Sequence, residues 1–199
     1  KPPIMKKIFT ILALTIVFNV NAQISTIGTN DSGYASTAMG YETTASGNYS
    51  TAMGRNTTAS ADYSTAMGYE TTASGWSTTA MGYSTIASSN YSTAMGRSTT
   101  ASADYSTAMG SFTTASGSRS TAIGGYTTAS GYASTAMGWY TTARGNYSTA
   151  MGWYTTASDY GSLVIGQFNS SGSSVTSNAT SFNTANTAFV IGNGADTDN

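Results

Sequence analysis

An all-β solenoid of stacked fourteen-residue coils is the architecture this sequence predicts, on three observations. The first is its period. A Gly recurs at Gly40, Gly54, Gly68, Gly82, Gly96, Gly110, Gly124, Gly138, Gly152 and Gly166, each fourteen residues after the last. Self-similarity at a fixed spacing marks a repeat architecture before any single residue is weighed. The second is composition. Fourteen is two heptads, but a helix with Gly in every unit, Thr-Thr in nearly every unit and Tyr at the junctions would consist of poor helix formers. The same residues suit pleated strands and turns. The third is the division of each unit into two short strand-like runs, such as 36–39 and 43–46, with turns at 40–42 and 47–49. Two strands and two turns make one flattened coil, and stacked coils set like residues above like about 4.8 Å apart.

The stack implies ladders. Strand residues alternate faces, so Thr37 and Met39 share one face and Ala38 takes the other. The Met column runs Met39, Met53, Met67, Met81, Met95, Met109, Ile123, Met137, Met151 and Ile165. Ile in two of these slots means that the position asks for apolar bulk and not for sulfur chemistry, so the column reads as packing. In the second strand Thr43 and Ala45 share a face, opposite Thr44 and Ser46. The column from Ala45 to Ala157 has no exception in nine coils. A slot that takes only a methyl group predicts two strands lying very close together. One Met, one or two Ala and some Thr per coil make a thin core, and small cores are marginal. The Met–Thr face is therefore expected to be covered, most simply by copies of itself in a cyclic oligomer.

Taken in order, the chain opens with a segment, 1–22, that reads as a secretory signal with its natural start at Met5. Met5, Lys6 and Lys7 form a positive region, 8–18 an apolar run too short to span a bilayer, and Ala22 ends a cleavage site before Gln23. Residues 23–35 hold an incomplete coil around Gly28, expected as a cap over an open strand edge. Residues 36–166 are the regular array. Residues 167–186 break the period with Ser, Asn, Thr and Gly and read as an insertion. A last coil follows from 187, and 194–199 is polar. A secreted solenoid of this kind is expected to be attached to something, so the chain is expected to be a fragment of a longer protein.

Composition excludes several functions. The 199 residues include no His and no Cys, 8% are charged, and the net charge is −1. The commonest catalytic base, thiol chemistry, disulfides and soft metal ligands are therefore absent. After the signal segment the only cations are Arg55, Arg97, Arg119 and Arg144, too few for a phosphate-tracking surface, so no nucleic-acid partner is expected. Asp62 and Asp104 occupy one slot three coils apart, too far for a carboxylate pair. No Lys follows the signal segment, and no helix is expected after any Gly-rich turn, which excludes a phosphate loop. The seven Asn-x-Ser/Thr triplets follow from the Ser and Thr content. No catalytic residue, metal ligand or cofactor is expected, and no membrane span after signal cleavage.

At this point the residues resemble a known family. Ser-x-Ala-hydrophobic-Gly, then x-x-Ser/Thr-x-Ala-Ser/x-Gly at fourteen-residue spacing, is similar to the head repeat of trimeric autotransporter adhesins, the YadA-like Hep/Hag repeat. The resemblance covers about residues 25–192 and is strongest around Ile165-Gly166 and Ile191-Gly192. It implies a left-handed parallel β-roll, with three chains side by side around one axis. It also implies a secreted, cell-surface or outer-membrane location in a bacterium, and a non-catalytic adhesive role toward a protein, glycan or matrix. The sequence departs from the family at Thr37, where an aliphatic residue is usual, at Met39, where Ile is usual, and at Tyr49, where Asn is frequent. No family-type neck, stalk or membrane anchor occurs in it.

Binding residues are expected where slots vary, since variation in a stack marks exposure. The pair after each Gly includes Tyr41-Glu42, Arg55-Asn56, Tyr69-Glu70, Trp139-Tyr140 and Trp153-Tyr154; the other corner carries Tyr49, Tyr63, Tyr91, Tyr105 and Tyr147. Such rings can simply brace neighbouring coils. Tyr, Trp and Arg are also the usual interface anchors, which makes Trp139, Tyr140, Trp153 and Tyr154, with Tyr41 and Tyr69 on the same edge, the candidate contact surface. Two other readings remain. The Thr44 and Ser46 files, interrupted by Ile86 and Arg144, could dock an ice or other crystal face, or the chain could be a passive fibre spacer.

Overall fold

A computed structural model describes residues 28–169 and 178–193. The expected signal segment, residues 23–27 of the expected cap, 170–177 of the insertion and 194–199 lie outside the described residues. The chain folds as the expected parallel β-solenoid. One coil runs from β1 (Thr37–Tyr41) through a corner to β2 (Thr44–Ala45), then through a second corner to β3 (Thr51–Arg55). The pattern repeats through β17 (Thr149–Trp153), β18 (Thr156–Ala157) and β19 (Leu163–Gln167), and the last strand is β20 (Phe189–Asn193). The long strands form one eleven-stranded parallel sheet and the short ones a nine-stranded parallel sheet. Register is the repeat itself: Ala38 pairs with Ala52, Met39 with Met53 and Gly40 with Gly54.

The long strand begins and ends later than the expected 36–39 run. Gly40 and Tyr41 extend β1 and are not turn residues. The reason is close backbone approach. Gly40 has φ of 124°, and a Cβ there would lie 1.8 Å from the carbonyl oxygen of Gly54. The same crowding recurs from Gly54 to Gly152, so Gly is needed in the strand. The turning is done by other residues. Glu42 and Tyr49 have φ of 50° and 56°, and both slots stay left-handed along the array with whatever side chain they carry.

The interior is narrow. The Ala columns from Ala38 to Ala150 and from Ala45 to Ala157 are buried, Ala38 being the most exposed at 8%. Thr43 and Ser50 begin two further buried columns that close the corners. Part of the Ser column turns its hydroxyls back on carbonyl oxygens three residues earlier, as in Ser64 Oγ to Ala61 at 2.6 Å and Ser106 Oγ to Ala103 at 2.6 Å, while the hydroxyls of Ser50, Ser92, Ser120 and Ser134 are buried and unpaired. Every hydroxyl of the Thr43 column, from Thr43 to Thr155, is buried and unpaired, each at a cost of about 1–3 kcal/mol. The Met column lies outside this interior. Its members are in register and half-buried by each other, with Ile123 and Met151 each 37% exposed.

The ends of the stack are closed by short devices. Asn30 adds a layer to the nine-stranded sheet, accepting the Ala45 N–H at 2.7 Å and donating its own to the Thr43 oxygen at 2.8 Å. At the other end the Asn169 side chain takes the place of a further short strand. Its Oδ1 accepts the Thr156 N–H at 2.7 Å and its Nδ2 donates to the Thr156 oxygen at 2.9 Å. Residues 178–188 then lie against the second corner, where the Asn146 N–H donates to the Ala179 oxygen at 2.8 Å and buried Asp159 accepts the Thr187 N–H at 2.8 Å. The chain rejoins the ladder in register, Gly166 pairing with Gly192.

Candidate binding surface

The two corners carry almost all the rings, and each builds a file along the solenoid. At the corner after the long strand, the file changes character midway. In the first half Arg55 lies 5.5 Å from both the Tyr41 and Tyr69 rings, and Tyr69 stacks on Tyr83 at 5.2 Å. In the second half Phe112, Tyr126, Tyr140, Tyr154 and Phe168 stack face to face at 4.6–5.1 Å, with Arg97 over Phe112 at 5.3 Å. Stacking of this kind is the favourable offset geometry, contributing about 0.5–1.5 kcal/mol per pair beyond burial. The rings ride on the left-handed corner residues, whose fixed backbone holds one ring per coil at the coil spacing.

Trp139 and Trp153 flank this stack. The Trp139 ring stands at 73° to Tyr126 and 77° to Tyr140, and Trp153 at 63° to Tyr154 and 61° to Phe168. Trp139 leans back over Gly125, where a Cβ would come within 2.2 Å of its six-membered ring. Gly125 therefore makes room for the indole. Both indoles remain nearly half exposed. The structure thus gathers the four residues Trp139, Tyr140, Trp153 and Tyr154 with Phe112, Tyr126 and Phe168. Tyr41 and Tyr69 lie at the far end of the same corner, among Arg55 and the acids Glu42 and Glu70.

Two hydroxyls on this corner are held in the neutral form. The Glu70 carboxylate, by hydrogen bonding and by its charge, raises the Tyr69 pKa above the ordinary 10.0. Loss of hydration and the neighbouring phenols of Tyr126 and Tyr154 raise that of Tyr140.

The second corner holds a file that the sequence reading missed in part. Tyr34, Tyr49, Tyr63, Trp76, Tyr91 and Tyr105 contact in succession at 4.7–5.6 Å. Arg119 bridges Tyr105 and Tyr132, and Tyr147 and Tyr160 continue. Tyr34, Trp76, Tyr132 and Tyr160 stand one slot before the Tyr49 column. Where that slot holds a ring, the next holds Ala35, Ser77, Ala133 or Gly161; where it holds Asn or Asp, the next is Tyr. The complementary use of two adjacent slots was the available signal. Asn and Asp in the first slot cap the preceding coil: Asp62 accepts the Asn48 N–H at 2.8 Å, and Asp104 accepts the Asn90 N–H at 3.1 Å. These single acids are structural.

The remaining surfaces are plainer. The Thr44 file is half-buried and the Ser46 file exposed on the short-strand sheet up to its last member, buried Ser158, with Ile86 and Arg144 as interruptions. A cavity of about 350 Å³ lies between Tyr160, Phe182, Asn183 and Ala188. Among the described residues there is no cluster of metal-ligating side chains, and no helix long and apolar enough to cross a membrane.

The sequence matches none of the curated proteins with which it was compared. It does match the family model of the YadA head domain repeat, in overlapping two-copy units that run from residue 32 to residue 169. Those units tile the stacked coils just described, from β1 through β19, and on this match and this fold the chain belongs to the YadA head repeat family, the adhesin heads of trimeric autotransporters.

Proposed function

We propose that this chain is a non-catalytic adhesive head on a bacterial surface, assembled as a homotrimer through its Met–Thr faces and binding through its aromatic corner. The observation that carries the reading is the position of the Met column. An unbroken apolar ladder runs from Met39 to Ile165 on the outside of a coil whose own interior accepts only methyl and hydroxyl groups. Such a stripe is covered in a stable secreted protein, and a rotation axis covers it with its own copy along its whole length. Three copies then display every corner three times, and repetition turns weak contacts into avidity. Light scattering after gel filtration of residues 23–199 tests the assembly. A trimer is expected. A stable monomer would overturn the trimer and leave the Met stripe as a free surface.

A further inference from the structure

The structure points to a ligand class for the aromatic corner: we infer that Trp139 and Trp153 form a platform for a neutral, β-linked polysaccharide chain. The inference rests on the reading of this corner as the binding surface. It starts from which ring faces are free. Tyr126, Tyr140 and Tyr154 each have a ring stacked on both sides, with interplanar angles of 4–12°. Their faces are used, and they offer edges. The two indoles stand at 61–77° to the rings of this file, take no part in its face-to-face stack, and keep nearly half of their surface exposed while the neighbouring rings turn edges toward them. They also diverge. Trp139 leans toward Gly125 in the preceding coil, and Trp153 packs against Phe168 of the following one at 4.7 Å. The platform is therefore elongated along the solenoid axis.

Charge selects the occupant. From Ser111 to Phe168 the paired slots of this corner are Ser111-Phe112, Gly125-Tyr126, Trp139-Tyr140, Trp153-Tyr154 and Gln167-Phe168. None is charged, whereas the first half of the same corner holds Glu42, Arg55, Glu70 and Arg97. A charged ligand gains nothing at the Trp end. A pyranose ring with equatorial substituents presents a flat face of C–H bonds, each slightly positive, which meets the negative face of an indole as a cation does but more weakly. Its hydroxyl rim meets Tyr, Ser and Gln side chains. A chain of such rings is a ribbon, and the platform runs in a line. A proline-rich peptide, another uncharged ligand that stacks on aromatics, docks in aromatic-lined grooves, and its capture is one outcome of the test.

The test uses the hexasaccharides of cellulose and chitin as probes, read by indole fluorescence and calorimetry on the intact protein. Saturable binding is expected that is unchanged between low and high salt, since no ion pair is involved. Trp139→Ala and Trp153→Ala should each weaken it about tenfold or more. The wild-type fluorescence change needs no variant, so a misfolded Trp139→Ala does not shield the inference. No binding of either hexasaccharide overturns it. If the same indole variants then lose capture of a proline-rich peptide or attachment to cells, the corner remains the binding surface with a different ligand. If they lose neither, the corner reading falls as well.

Discussion

Gly96 shows how a single position sets the repeat. Its φ is 121°, and an added Cβ would sit 2.0 Å from the Gly110 carbonyl oxygen. Neither problem can be relieved alone, because Gly96 is paired on both sides in the long-strand sheet. Gly96→Ala is expected to cost about 1–3 kcal/mol in backbone strain, with a further loss as the neighbouring coil is pushed away. A urea unfolding curve checks this, and an unchanged midpoint would mean that adjacent coils separate freely. The Gly column was legible from the sequence as punctuation, but its role was not. A Gly in a fourteen-residue unit reads as a turn; here it stays in the strand and lets two backbones touch. The actual turning residues were hidden. Glu42, Tyr49, Arg119 and Tyr126 all adopt left-handed φ, and nothing in those residue types announces it. The strain, about 1–2 kcal/mol per residue, is met by ring stacking and ladder bonds that exist only once the coils are stacked.

The coil is the unit of stability, because each long strand bonds only to the coils before and after it. Alternation of faces, the Ala-only slots and the ladder register all followed from the repeat, since one spacing fixes every column together. The aromatic cluster was only partly legible: Trp139, Tyr140, Trp153 and Tyr154 stood out as a local run, while Phe112, Tyr126 and Phe168 join them through the stack. Nearest-neighbour energetics predicts that a whole coil can be removed. Deleting residues 92–105 should leave a folded solenoid, with Tyr91 placed to meet Arg119 as Tyr105 now does. Deleting only 92–98 should not, because it sets long strands against short ones. Circular dichroism and thermal melting of the two proteins check the contrast, and loss of structure in the fourteen-residue deletion would count against independent coils. The turn to β20 already shows the rule in the native chain. Ile191 follows Ile165 by twenty-six residues and not fourteen, yet the two still pair.

At the scale of the whole molecule the question is what covers the long sheet's outer face. The chain's interior is two columns of methyl groups and two of hydroxyls, a small return for ordering fourteen residues per coil. The larger aliphatic side chains of the array, the Met column, point the other way. On the trimer reading that column is the core, shared among three chains, and its members are surrounded only after assembly. Met95 and Met109 are neighbours in the ladder, near its middle. Replacing both by Asp would bury two unpaired carboxylates in each chain at the centre of the interface, a cost of several kcal/mol per chain. Met95→Asp with Met109→Asp is therefore expected to yield monomers or unfolded chain by light scattering. Met95→Leu with Met109→Leu keeps the apolar volume and should keep the trimer. The pair of variants separates burial from mere alteration of the site. A trimer that survives both Asp substitutions would place the Met column in water, and the copies would then have to meet through another face.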